Sequence, residues 1–566
     1  GNVGSTGKIQ TNEALNINGL LDNSGTVEAA KNISVAGNVL NSGKILTDGD
    51  LTSKNTDTSG TIVSNSLKTG NLKNDGKIIA NKDLTAEKVA STGDITVVGK
   101  ISADSLKLSG ALRTNEDLSV NGKFENDGTV ETSKNVAVSG DIKNNGKVAA
   151  GGNIRAKKIR NTGDIAAAGT VSSDDMATSG TVKSNKKITV AGKLENDGTM
   201  ETAEDIEVSG NIRNTGRITS NGDLTGRDTA TSGKIVSKNV KVDNLNNDGV
   251  IVANGSLNAK NVKNTKDITA VGTVSANDLA TSGKVRANGK ITVAGKLENR
   301  GAVETSKNIS VAGNIKNDGR IAANEDLTGK HTENNGNIYV KNLEVSNLKN
   351  NGTIEVGNDL KADDIINSKD ITAVGKILGG NTYNSGRILT NGILDVKNVK
   401  NIGRIAAGSN IVSQKFENSG VLATNGNIMT SDSMINSGNV EGKNIDVTGL
   451  EFTNSGKISA DNIKVKVKDI RNDGNISSGN DIDLETKTLV NTKEMLAVNS
   501  INSNNATISN TGKIASNSKI SLNNSSITNT GEVLSGEISM QNVKKFDNTG
   551  TVKGNKTVLT TDQDLN

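Results

Sequence analysis

The sequence predicts an all-β fold: a right-handed parallel β-helix (solenoid) of about 32 coils of 16–19 residues, with three short strands per coil. Three observations predict it. A phrase of the form Asn-x-Gly-x-Ile recurs from one end of the chain to the other. Apolar residues fall in alternating pairs between these phrases. The chain contains no proline, cysteine or tryptophan.

The phrase stands at Asn23-Ser24-Gly25-Thr26-Val27, Asn126-Asp127-Gly128-Thr129-Val130, Asn317-Asp318-Gly319-Arg320-Ile321 and Asn548-Thr549-Gly550-Thr551-Val552. It occurs 32 times between Gly7 and Gly550, about 17.5 residues apart, with the longer intervals toward the C-terminus. The residue two after the glycine is Ile, Val, Leu or Met in every repeat. The glycine is kept in 29 repeats and replaced by Lys266, Lys369 and Lys493 in the others. The residue two before it is Asn in 25; Thr58, Thr178, Thr231, Thr281, Ser5, Ser91 and Leu108 fill the remaining places. Only 32% of residues are hydrophobic, a share that could mean disorder. A pattern this strict across more than 500 residues excludes that reading.

One repeat gives the coil. After Gly25, inward candidates fall at Val27 and Ala29, then Ile33 and Val35, then Val39 and Asn41. Spacing by two is strand alternation, and polar turns such as Ala30-Lys31-Asn32 separate the pairs. A unit this small cannot bury its inner face alone. Stacking each strand in parallel on its counterpart one coil along buries it, and the crossover rule favours the right hand. At about 4.8 Å per coil, the stack expected over residues 1–566, read as one continuous repeat domain, is about 150 Å long.

The Asn of the phrase is expected to form an internal ladder, each buried amide bonding to the next. The glycine is expected to supply a positive φ at a corner. Phe124, Phe416, Phe452 and Phe546 each stand two residues before a ladder Asn and are expected inside; Tyr339 and Tyr383 have outward parity. The lack of proline suits strands that all sit inside one sheet.

Longer copies are also visible. Thr178–Asn196 returns as Thr281–Asn299, offset by 103 residues, and Gly49–Gly76 returns loosely as Gly222–Gly249, offset by 173. The array therefore reads as grown by copying blocks of coils.

The phrases Asn317-Asp-Gly-Arg-Ile-Ala-Ala-Asn-Glu-Asp-Leu327 and Asn144-Asn-Gly-Lys-Val-Ala-Ala-Gly-Gly-Asn-Ile154 resemble the repeats of the filamentous haemagglutinin and contact-dependent inhibition exoproteins. The resemblance covers essentially the whole chain. It implies a β-helical stalk of a large virulence-associated adhesin of a Gram-negative bacterium, secreted or held at the cell surface. It implies as partners a two-partner secretion transporter in the outer membrane and a receptor on a host or neighbouring cell, bound through other regions. The alternative it allows is the β-helical stick of a contact-dependent growth inhibition toxin-delivery protein. Gly1 and the lack of a signal peptide lead to the expectation that this is a segment of a longer product.

No enzymatic function, cofactor, metal site or catalytic residue is expected. His331 is the only histidine, and no cysteine exists to join it. Acidic residues cluster at turns, as in Asn115-Glu-Asp117 and Asn324-Glu-Asp326, where they read as turn formers. With 66 basic and 62 acidic residues interspersed, no nucleic-acid footprint is present. No apolar run reaches membrane-spanning length, so membrane insertion is not expected.

Overall fold

The computed structural model describes residues 1–561. Every regular element in them is a β-strand, and the strands pair in parallel, each with its counterpart one coil along. The fold is a parallel β-solenoid of about 33 turns, consistent with a right-handed parallel β-helix. It comprises two compact units, residues 1–277 with 283–288, and residues 278–282 with 289–566.

In the first unit a typical coil comprises Thr129–Thr132, Val136–Val138 and Asp141–Asn144. In the second, Ala302–Thr305, Ile309–Val311 and Ile315–Asn317 repeat the plan. Elsewhere the last two arms merge into one bent strand. Leu84–Ser91 buries Leu84, Ala86, Val89 and Ser91, so its inward parity flips midway, and that flip is the corner. The inward columns are continuous: Val27, Ile45, Ile62, Ile78 and Ile95 stack on consecutive rungs and are almost fully buried. Each such side chain contributes about 1.5–3 kcal/mol by leaving water. Phe124, Phe416 and Phe452 are fully buried as expected. Phe546 is only partly buried, on a strand whose described neighbour is Ser526–Asn529.

The asparagine ladder is present and has a direction. Within a run each amide NH₂ donates to Oδ1 of the Asn one coil later, and also to one or two backbone carbonyls. Asn317 donates to Asn334 Oδ1 at 2.7 Å, to Gly319 O at 3.1 Å and to Asn337 O at 3.1 Å. In the second unit the ladder is unbroken from Asn299 to Asn548, with amide–amide distances of 2.6–2.8 Å. In the first unit Thr, Ser and Leu divide it into short runs. A run ends when the last Asn donates to a hydroxyl, as Asn161 does to Thr178 Oγ1. The next run then begins with an Oδ1 that no preceding amide reaches. Asn23, Asn74 and Asn196 are such starters, and their shielded Oδ1 atoms have no partner. Asn126 and Asn247 also start runs, but accept the N–H of Gly128 and Gly249 instead.

The glycine expectation is corrected. None of the phrase glycines has positive φ; among the described residues Gly449 is the glycine that does. The requirement is steric. A Cβ on Gly319 would lie 2.1 Å from the carbonyl oxygen of Gly301, and one on Gly25 would clash with Gly7 in the same way. Successive coils touch backbone to backbone at this corner. The three lysines show what a side chain does there. The residue after each donates its N–H to the glycine carbonyl below at 3.2–3.3 Å: Asp267 to Gly249, Asp370 to Gly352 and Glu494 to Gly474. At glycine corners the same bond measures 2.8–3.0 Å, as from Thr26 to Gly7 or Thr129 to Gly110. On the other side of each lysine the matching bond shortens, to 2.6–2.7 Å from Lys284, Arg387 and Lys513, so each lysine rung is displaced along the stack with no left-handed backbone.

Candidate functional site

Asparagine and aspartate also order the other corners. Asp117 Oδ1 accepts the backbone N–H of Asn135, Asn135 Oδ1 that of Asn153, and Asn153 Oδ1 that of Thr170. A further exposed ladder runs Asn38–Asn55–Asn71 in the first unit and Asp364–Asn381–Asn398 in the second. Sequence reasoning missed both, although the Asn or Asp recurring seven residues after the glycine made the first of them visible. These ladders explain the turn carboxylates. Asp117 is held below the ordinary aspartate range, chiefly by the Asn135 N–H it accepts. Asp326 accepts the Asn342 amide at 2.7 Å. Both bridge rungs rather than face a second carboxylate.

Outward charges pair along the stack. Lys349 bonds Glu333, Lys361 bonds Glu344, and Arg387 bonds Asp370, at 2.8–2.9 Å between registered neighbours. Such exposed pairs contribute about 0–1 kcal/mol each. His331 is exposed, with Nδ1 3.0 Å from the Asn347 amide. Tyr339 lies outward under the Arg320 guanidinium, 5.0 Å from ring centre, and Tyr383 is exposed. The two tyrosines share no site.

Among the described residues no group of three or more His, Cys, Asp or Glu is arranged to hold a metal ion, and no helix is long and apolar enough to cross a membrane. Three concave features are surface grooves. One in the first unit has small Ala90 and Ser105 on its floor and is rimmed by Lys73, Lys88, Lys107 and Lys123. Acidic neighbours neutralise half of that rim: Lys73 contacts Asp57 and Asp75, and Lys123 contacts Glu125. One in the second unit is lined along one wall by Asp395, Val412, Met429 and Asp446. Another there has Leu496, Ala515 and Leu534 on its floor.

No protein-family model matches the sequence, and no curated protein or solved structure matches the chain.

Proposed function

We propose that this chain is the structural stalk of a large bacterial adhesin, secreted through a two-partner transporter and displayed at the cell surface. One observation carries the reading. Within each unit, the coils reuse three contacts with their neighbours: the apolar column in every coil, and the Asn ladder and close glycine corner in most. Such an array lengthens by adding coils without any new interaction, and the 103- and 173-residue copies are what lengthening by whole blocks leaves behind. The surface supports it too, since charges are spent on neighbouring rungs rather than gathered into a reacting centre.

The test is to shorten the first unit in the intact secreted product. Deleting residues 60–232 joins Ser59 to Gly233, which occupies the same coil position as Gly60, so every strand keeps its inward face. Ten coils, about 48 Å of stack, are removed. A passive stalk remains folded, secreted and adherent, with shorter reach. A folded and secreted but non-adherent deletion contradicts the stalk reading and places recognition within residues 60–232.

A further inference from the structure

The groove beside Asp446 has a chemistry that the coil stack does not use. Asp395, Val412, Met429 and Asp446 occupy one outward column on four consecutive rungs. The space they border measures about 510 Å³, within the range of small-molecule sites. Lys397, Gln414, Ser431 and Thr448 form the opposite wall.

The stack is irregular here. Strand register slips between Ser413 and Lys415, opposite Thr430 and Ser433, and slips again in the next pairing. The extra residues include Gly449, at φ 128°, and Leu450, which is 65% exposed. Bulges of this kind re-aim side chains and are frequent beside binding sites.

Asp446 Oδ1 is shielded from solvent yet accepts no hydrogen bond. It is the one carboxylate oxygen among the described residues in that condition. Asp395 and Asp446 take part in no ion pair among the described residues, as is true of Asp432 and Glu441 nearby, so the shielded Oδ1 is what sets Asp446 apart. Oδ2, the oxygen that remains accessible, has no donor either among the described residues, and an ammonium there supplies both the charge and the N–H. Between the two acids the column is aliphatic, and methionine adapts readily to a flexible chain. The acids are three rungs apart, about 14 Å.

We propose that this groove binds a linear aliphatic polyamine. One terminal ammonium sits on Asp446, the methylenes lie over Val412 and Met429, and the far ammonium reaches Asp395. Lys397 shares the Asp395 rung and Lys464 stands one rung beyond Asp446 in the same column, so a lysine flanks each end of the groove. No aromatic ring lines the groove, which leaves a sugar without a stacking face.

Isothermal titration of the full chain with spermine at physiological salt tests this. One saturable site is expected. Asp446→Asn, checked by circular dichroism to be folded, should weaken it about tenfold or more, the worth of one charge-assisted contact. Lys397→Glu should tighten it, an effect that misfolding cannot mimic. Butylamine, with a single ammonium, should bind more weakly than spermine and be insensitive to Asp395→Asn. Absence of saturable spermine binding, unchanged affinity in folded Asp446→Asn, or no gain in Lys397→Glu would each overturn the assignment.

Discussion

The side-chain amide of Asn299 donates to Oδ1 of Asn317 at 2.7 Å, one coil away, and both residues are almost fully buried. The bond has a fixed sense: NH₂ toward the C-terminal coil, carbonyl toward the N-terminal one. An aspartate in such a ladder can still accept from the coil before it but has nothing to give the coil after it.

Asn317→Asp should therefore act asymmetrically. It keeps the Asn299 donor but turns a carboxylate toward Asn334 Oδ1, Gly319 O and Asn337 O. A loss of about 1–3 kcal/mol is expected, more if the group stays ionised. Hydrogen exchange should accelerate around residues 319–337 more than around 299–305. Equal acceleration on both sides would contradict the ladder's direction.

Thr178→Asn should stabilise the first unit. Thr178 accepts from Asn161 but sends its own hydroxyl to Gly180 O, which leaves Asn196 Oδ1 without a donor. An amide at 178 would join the two runs and satisfy that oxygen, for a gain of about 1 kcal/mol. Thermal melting decides it, and a lower midpoint would argue against run-joining at this corner.

The glycine corner separates two physical causes. If positive φ were the reason, asparagine would be among the best replacements, because it tolerates that region. Close approach to Gly301 O instead makes Gly319→Asn and Gly319→Ala comparably harmful, about 1–3 kcal/mol each. Lys266→Gly should be neutral or stabilising, since it lets the Asp267 N–H return to glycine-corner distance from Gly249 O. Chemical denaturation of the three variants tests the set; a Gly319→Asn variant much milder than Gly319→Ala would restore the conformational explanation.

Much of this was legible in the sequence, because a solenoid repeats each physical requirement at fixed spacing. Val27, Ile33 and Val39 announced the inward columns, and Asn41 announced its ladder. The glycine was legible as a requirement but not as a cause. Spacing shows that a side chain is excluded at Gly319, and only the stacked coil shows that the Gly301 carbonyl excludes it. The groove at Asp446 was not legible. It depends on a register slip between neighbouring strands, which the 18-residue interval from Gly420 to Gly438 does not mark, since regular coils such as Gly110 to Gly128 have the same length.

Acid should weaken the stack. Asp117 is held below the ordinary range by the Asn135 N–H, and Asp473 by the Thr492 hydroxyl and then Arg471. A carboxylate depressed in the folded state adds stability that is present above its unfolded pKa, about 3.9, and is lost as pH falls through the folded value. The melting temperature should hold from pH 7 to about 5 and decline below about 4. Asp117→Asn should soften that decline; a melting temperature that rises on acidification would contradict the assignment.

The most direct measurement of the coil stack is spin-label distance along one outward column. The chain has no cysteine, so introduced ones label uniquely. Thr61, Thr129 and Thr199 hold the same coil position in the first unit, four coils apart in each interval. Pulsed electron resonance should give backbone separations of about 19 Å for 61–129 and for 129–199, and about 38 Å for 61–199, in narrow distributions. Distances that fail to double between the short pairs and the long one, or that spread as in a flexible chain, would contradict parallel stacking of the coils.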